Sequence, residues 1–262
     1  MLNFNYHSPR NLKECLEIFR KSDFPKYLSG GMTIIPSIKQ KLSNPSDLID
    51  LQNIPDMKGI KKEDGTIIIG ALSTHNEVAN STLVRSYLPG LSYLALNIAD
   101  NAVRNLWTLG GSICNADPAA DYPAALLSLE AFITTNSRII KAEDFFIDMF
   151  ETILETEEIV ISISFPIKNK SYYLKYASQA SKYAIIGIFT CLSNEKYNVA
   201  ITGASNKVFL LEEIRSLPVS KLKNYNFKSI DLSAFNINND IHASATYRES
   251  LIKNLISKTI RF

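Results

Sequence analysis

Residues 108–121 read Thr108-Leu109-Gly110-Gly111-Ser112-Ile113-Cys114-Asn115-Ala116-Asp117-Pro118-Ala119-Ala120-Asp121. Taken from Asn105 onward, the stretch follows neither the helical period nor strand alternation, which predicts a long irregular segment. Segments of that kind inside compact domains usually carry function. Gly110 and Gly111 let the backbone turn tightly and aim successive N–H groups one way, and the hydroxyls of Thr108 and Ser112 complete a cradle that suits a phosphate. Asp117 and Asp121 each stand where a helix is expected to begin. Such a carboxylate either caps free backbone N–H groups or, beside a phosphate cradle, accepts hydrogen bonds from ligand hydroxyls.

The same combination occurs once more, in Ser29-Gly30-Gly31-Met32-Thr33, directly after Lys26-Tyr27-Leu28, which reads as a strand. A Gly-Gly pair alone is more often a plain turn. Two such loops, however, can grip a pyrophosphate from both sides. Neither matches G-x-G-x-x-G or G-x-x-x-x-G-K-[ST], so the sequence does not support a Rossmann or P-loop site.

Around these loops the pattern is mixed. Leu12, Cys15, Leu16 and Phe19 fall on one helix face; Leu48 to Leu51 and Thr66 to Gly70 read as strands; Thr74 to Asn80, Pro89 to Ala99 and Ala124 to Leu129 read as helices. Beyond Glu155 come the β-like runs Ile159 to Phe165, Tyr172 to Ala177, Ala184 to Leu192 and Tyr197 to Thr202, which point to an antiparallel sheet with helices on one face. Thr246-x-x-Glu249 reads as a capping box opening a last helix whose stripe is Tyr247, Leu251 and Leu255. These readings place a domain boundary in the turn after Phe165-Pro166, giving units of 1–166 and 167–262.

A chain of 262 residues with 46% apolar and 21% charged side chains can bury a real core, which excludes disorder and small stapled scaffolds. It is too short for a redox enzyme with all its centres on one chain. The formal charge of +2 is scattered, so nucleic acid is not the expected partner. No run reaches the ~18–20 apolar residues of a membrane span and the start lacks the features of a signal peptide, so a cytoplasmic location is expected. Cys15, Cys114 and Cys191 lie far apart and read as buried or half-buried thiols rather than ligands of zinc or an iron–sulfur cluster. His7, His75 and His242 lie outside both glycine segments and read as surface or capping residues.

The chain resembles the FAD-binding medium subunit of the xanthine dehydrogenase and carbon monoxide dehydrogenase group of molybdenum hydroxylases. Leu28 to Thr33 is similar to that family's A-G-G-x-S segment. Val103-Arg104-Asn105, Thr108 to Ser112 and Asn115 to Asp121 resemble V-R-N-x-x-T-I-G-G-N-x-x-x-A-D-P-A-A-D. Phe4 to Ser8 is similar to the opening F-x-Y-x-x-P, and Asp240-Ile241-His242-Ala243-Ser244-Ala245-x-Tyr247-Arg248 to the closing D-x-H-G-S-A-x-Y-R.

The resemblance implies an α+β chain: an FAD-binding domain of the vanillyl-alcohol-oxidase type in two α/β subdomains, then a three-stranded antiparallel sheet with a helical bundle. It implies that Ser29, Gly30, Gly31, Met32 and Thr33, together with Thr108, Leu109, Gly110, Gly111 and Ser112, hold the FAD pyrophosphate, with Ala99 close by. Asp121 would bind the ribityl or neighbouring hydroxyls, Ile159 or Val160 would pack near the flavin, and Lys175 would lie near the ring. No His or Cys matches a covalent attachment position, so FAD is expected to be dissociable.

The resemblance further implies a small partner subunit with [2Fe–2S] clusters, a large partner subunit with the molybdenum cofactor, and NAD⁺ or another electron acceptor. Ala180-Ser181-Lys182-Tyr183 departs from the family's R-G-D-F and lacks its aspartate, leaving Tyr183 as a ring neighbour or a core aromatic. Leu106-Trp107 also departs, and Trp107 either flanks the cofactor or fills the gap between subdomains. A stand-alone flavin oxidoreductase and a scaffold with a degenerate flavin domain are the alternatives.

Overall fold

The computed structural model describes residues 4–168 and 170–260. The chain opens with β1 (Asn5–His7), α1 (Leu12–Lys21), β2 (Pro25–Leu28), α2 (Ile34–Lys39) and β3 (Asp47–Asp50). The strands pair in parallel in the order β1-β3-β2, so each connection must cross over, and α1 and α2 supply the crossovers. Asn11 caps α1 by accepting from the N–H of Glu14 at 2.9 Å, and Cys15, wholly buried, leads the apolar face read from the sequence.

Next come β4 (Ile60–Glu63), β5 (Thr66–Gly70), the helices α3 (His75–Asn80), α4 (Thr82–Tyr87), α5 (Pro89–Leu96), α6 (Asn101–Leu106), α7 (Leu109–Asn115) and α8 (Tyr122–Ser128), then β6 (Phe132–Thr135), β7 (Ile139–Lys141), α9 (Ala142–Phe145), the hairpin β8 (Phe146–Asp148) and β9 (Glu151–Thr152), and β10 (Val160–Pro166). An antiparallel sheet in the order β4-β5-β10-β6-β7 results. β10 is its central strand, with Ile163 and Phe165 fully buried. This strand therefore belongs with β5, far upstream, and with β6, not with the late strands that follow it in the sequence.

The segment expected to be irregular from Asn105 to Asp121 is instead half helical. α6 starts on an Asp100 cap that accepts from Val103 N–H at 2.9 Å, and α7 starts on Thr108, which accepts from Gly111 N–H at 3.1 Å. Helices of six and seven residues are too short to show a period, so the caps carry the information that the pattern lacks.

The last part contains β11 (Ser171–Ala177), β12 (Ala184–Ser193), β13 (Lys196–Thr202), β14 (Phe209–Leu210), α10 (Glu212–Arg215), α11 (Val219–Leu222) and α12 (Ala245–Thr259). Three long antiparallel strands are joined by the two-residue β14, so the sheet has a short fourth strand beyond the three expected. Both faces are covered rather than one. Strand alternation turns Ile186, Ile188, Val199 and Ile201 toward Ile252 and Ile256 of α12, while Phe189, Cys191 and Ala200 join the apolar core beneath the first two sheets.

α12 also differs in register. Its cap is Ser244, accepting from Tyr247 N–H at 3.2 Å, rather than Thr246, and its buried face is Arg248, Ile252, Ile256 and Thr259. Tyr247 is exposed and Leu251 and Leu255 are half-buried beside that face. No helix among the described residues is long and apolar enough to cross a membrane.

Candidate functional site

Ser29 to Thr33 forms the turn between β2 and α2, with Gly31 at φ 74°. Glycine is required at position 30 for a packing reason: a Cβ there would lie 2.2 Å from the carbonyl oxygen of Leu106 and 2.9 Å from the Cα of Trp107. The backbone before α7 thus runs against the first glycine turn. Among the described residues, the N–H groups of Gly30, Gly31, Met32 and Thr33 take no part in the backbone hydrogen bonding of the fold. Groups of this kind need water or a ligand.

The second segment is built differently. Leu109 N–H donates to Ser73 O at 2.9 Å and Gly110 N–H to Ala71 O at 2.8 Å, zipping the start of α7 to the end of β5. Gly110 packs on Ala71, where a Cβ would meet the alanine methyl at 2.6 Å, and the Leu109 side chain is fully buried. What this segment presents outward is the Thr108 hydroxyl, Gly111 and Ser112. Thr108 Oγ1 donates to Ser29 Oγ at 3.2 Å, and a Cβ on Gly111 would fall 2.6 Å from Ser29 Oγ and 2.9 Å from Thr108 Oγ1. The two glycine segments are therefore one structure, joined through their hydroxyls.

A cavity of about 580 Å³ opens along this junction. It is lined by Ser29, Gly30, Gly31, Met32, Thr33, Ala99, Thr108, Gly110, Gly111, Ser112, Asp121, Ile159 and Val160. Of the residues singled out from the sequence, Leu109 and Lys175 are not on its wall; Lys175 lines a smaller cavity of about 290 Å³ that shares Ala99 and Lys182 with the first. The walls add Tyr27, Leu72, Ile98, Trp107, Cys114, Asp117 and Tyr183. Cys114 is exposed, unlike the buried Cys15 and Cys191 and unlike the expectation for it.

Asp121 of this wall belongs to a buried charge pair. Asp121 makes no helix cap; its carboxylate accepts from the Tyr173 hydroxyl and pairs with Lys175 Nζ at 2.9 Å, with the two side chains 5% and 7% exposed. Lys175 also donates to Asn97 O at 2.8 Å and Lys182 O at 3.1 Å. Burial holds the Asp121 carboxyl above its ordinary value, opposed by the Lys175 charge and the Tyr173 hydrogen bond. Asp117, which accepts from Ala119 N–H at 2.8 Å, is likewise raised by burial.

His75 is not the surface or capping residue expected. It is wholly buried, its Nδ1 lies 3.2 Å from the Tyr122 hydroxyl, and its ring stands edge-on to Trp107 at 5.9 Å. Burial, reinforced by the Arg104 charge, pushes its pKa down to about 3. His7, by contrast, reaches Asp47 at 2.7 Å on a partly exposed edge.

The described geometry matches known proteins over most of its length. The family model "FAD binding domain in molybdopterin dehydrogenase" covers residues 2–168. The chain belongs to this family. It is 29% identical to the glyceraldehyde dehydrogenase medium chain of Sulfolobus acidocaldarius over 98% of this chain and 97% of that one. It is 35% identical to the carbon monoxide dehydrogenase medium chain of Hydrogenophaga pseudoflava over 62% of this chain and 58% of that one. Its fold superposes on a carbon monoxide dehydrogenase structure of Hydrogenophaga pseudoflava with a TM-score of 0.90 at 25% identity, covering 98% of this chain and 96% of that chain.

As a member of the molybdopterin-dehydrogenase FAD family, the chain has FAD as its cofactor and is the flavoprotein component of an oxidoreductase. The residues present fit that group: N–H groups at Gly30 to Thr33 outside the backbone hydrogen bonding among the described residues, two facing hydroxyls, a glycine whose missing Cβ keeps them open, and a cavity of about 580 Å³. Several contributors were not legible as site residues. Arg104 of the V-R-N run is not on the cavity wall; it donates to Ile98 O at 2.8 Å and Ala99 O at 3.0 Å and so fixes Ala99 at φ 42° on that wall. Its signal was the motif itself. His75 had none, because only the fold brings it behind Trp107.

Proposed function

We propose that this chain is the electron-transfer subunit of a cytoplasmic, multi-subunit molybdenum hydroxylase, taking electrons from [2Fe–2S] clusters on a small partner subunit and passing them to NAD⁺ or another acceptor. In this reading the hydroxylation itself occurs at a molybdenum cofactor on a large partner subunit. The observation that carries the reading is the joining of the two glycine segments through Thr108 and Ser29 along one cavity wall. Three cysteines spread over the chain, two of them buried, fit a division in which clusters belong to a partner.

Bound non-covalently, FAD would supply one- and two-electron redox chemistry. The protein's own residues bind and orient it. Gly30 to Thr33 would donate backbone hydrogen bonds to the pyrophosphate, and Ser29, Thr108 and Ser112 would supply hydroxyls from the other side. Ile159, Val160, Leu72 and Ile98 offer apolar wall, and Trp107 with Tyr183, rings 6.3 Å apart and edge to face, would keep water from one end. Asp121 is committed to Tyr173 and Lys175, so its remaining lone pairs are what a ligand hydroxyl would meet. His75, off the cavity wall, is not placed to act as a catalytic base, which disfavours a stand-alone oxidase.

The test is purification of the chain and titration with FAD, followed by co-expression with the neighbouring reading frames. A yellow protein that assembles with an iron–sulfur and a molybdenum subunit is the expected result. A chain that takes up no flavin, alone or in such an assembly, would remove the reading.

A further inference from the structure

The closing motif, Asp240 to Arg248, lies far from the cavity in sequence and none of its residues is on the cavity wall. Its internal logic is clear. Asp240 Oδ1 accepts from the N–H groups of His242 and Ala243 at 2.8 and 3.1 Å, closing the turn from which Ser244 caps α12. Arg248, 3% exposed, then returns to Asp240 through one nitrogen, Nη2 donating to Oδ1 at 2.8 Å and to Oδ2 at 2.6 Å. With Nη2 held by the carboxylate and Nη1 bonded elsewhere, the guanidinium plane is fixed as a single ammonium cannot be.

The other arm of the guanidinium points at the sheet. Arg248 Nη1 donates to both Ile185 O at 2.8 Å and Gly203 O at 2.6 Å, holding together the first residues of β12 and the turn that ends β13. Gly203, at φ 80°, allows this approach, since a Cβ there would lie 2.6 Å from Ala184 O. The strand ends so gathered present three donors to one short segment. Gly203 N–H meets Pro118 O at 2.8 Å, Ala184 N–H meets Ala119 O at 3.3 Å, and Thr202 Oγ1 bonds Pro118 O and Ala120 O at 2.9 and 2.7 Å. Asp117, Ala120 and Asp121 of this segment line the cavity, as does Tyr183, just before Ala184.

We propose that Arg248, oriented by Asp240, is a positioning residue for the cofactor cavity: by fixing the spacing of Ile185 and Gly203 it sets where the Asp117 to Asp121 segment and Tyr183 stand against the ligand. A buried guanidinium serves this better than an apolar contact because its four hydrogen bonds define angles as well as distance. The inference rests on the reading of the cavity as the FAD site.

The full chain is titrated with FAD, following flavin absorbance, the visible circular dichroism of the bound flavin, and thermal unfolding. Arg248→Met is expected to weaken FAD binding at least tenfold and to change the flavin dichroism. Arg248→Lys, which keeps the charge and part of the bonding, restores the affinity in part. Ile256→Ala, on the same buried face of α12 but off this path, lowers the unfolding temperature without altering affinity or dichroism. If Arg248→Met does not fold, Asp240→Asn, which keeps the carbonyl contacts but loosens the hold on Nη2, is expected to weaken binding several-fold. Wild-type affinity and dichroism in the folded Arg248 or Asp240 variants overturn the proposal, as does an equal loss in Ile256→Ala. A wild-type chain that binds no FAD would instead overturn the functional reading.

Discussion

Thr108 and Ser29, 79 residues apart in sequence, meet hydroxyl to hydroxyl at 3.2 Å, and Thr108 simultaneously accepts from Gly111 N–H at the start of α7. One side chain therefore caps a helix and ties the two glycine segments together. Thr108→Ala is expected to cost about 1 kcal/mol of stability, the usual value of a lost cap, and to weaken FAD binding about tenfold through the freed Ser29. Flavin titration and thermal melts on one preparation check both, and an unaltered affinity would count against the shared cradle.

Gly30 and Gly111, alike in the sequence, separate by what a missing Cβ would meet. At Gly30 it would strike backbone, so Gly30→Ala should destabilise the fold by about 1–3 kcal/mol, the range for overpacking. At Gly111 it would strike only the rotatable Ser29 and Thr108 hydroxyls, and the residue lies in a helix, where alanine is favoured over glycine. Gly111→Ala should thus leave the unfolding temperature equal or higher while reducing FAD affinity at least tenfold. Parallel loss of both in Gly111→Ala would show that its role is packing alone.

How far the sequence carried this reading can be seen in the same residues. Runs of β-branched and aliphatic residues exposed β5, β10 and the long late strands, and the two glycine segments prove to share one cavity wall. The helices α6 and α7 were missed because two turns or fewer give no period, and the Ser244 cap was missed because Thr246 offered the same chemistry two residues later. Asp121 illustrates the deeper limit. Its partners Tyr173 and Lys175 lie more than 50 residues away on β11, and only the pairing of two sheets' worth of chain reveals that it is a buried ion-pair member rather than a cap.

That pair makes a sharp demand on stability. Both side chains are under a tenth exposed, so removing the cation leaves a carboxylate that burial already holds above its ordinary value. Lys175→Met should cost about 3–5 kcal/mol, the range for breaking a buried pair by deleting one partner. Asp121→Asn combined with Lys175→Met should recover a large part of the loss. A double variant no more stable than Lys175→Met alone, measured by chemical denaturation, would mean that the charge is not what the site holds in balance.

Glu158 contributes to the acid sensitivity of the fold. Arg138 donates to it through Nε at 2.9 Å and Nη2 at 2.8 Å, Thr135 and Ser137 through hydroxyls at 2.7 and 2.9 Å, and Glu155 through its N–H at 3.0 Å. The Arg138 hydrogen bonds lead these in pulling its pKa from 4.5 down to about 2. The folded value lies below the unfolded one, so the stabilisation is complete above about pH 5 and is lost as pH falls through 4.5 toward 2. Allowing for the solvent around the Arg138 head group, the contribution is on the order of 2 kcal/mol. Glu158→Gln should be less stable at pH 7 and lose less on acidification; a Glu158→Gln curve parallel to wild type from pH 6 to about pH 3 would refute the assignment.

Trp107 is the only tryptophan of the chain and stands on the cavity wall, between the buried His75 ring and the Tyr183 ring. Its emission therefore reports on one place. Because burial keeps His75 neutral down to about pH 3, no imidazolium quenches the indole at ordinary pH, and the emission of the FAD-free chain should be flat between about pH 5 and 9. FAD entering this cavity would bring a flavin or adenine ring within contact range and quench most of that emission. Trp107→Phe should abolish the fluorescence signal while retaining flavin binding by absorbance, since a smaller aromatic still closes the wall against Tyr183. If saturating FAD leaves the tryptophan emission unchanged although absorbance shows the flavin bound, the cofactor does not occupy the cavity that Thr108 and Ser29 close.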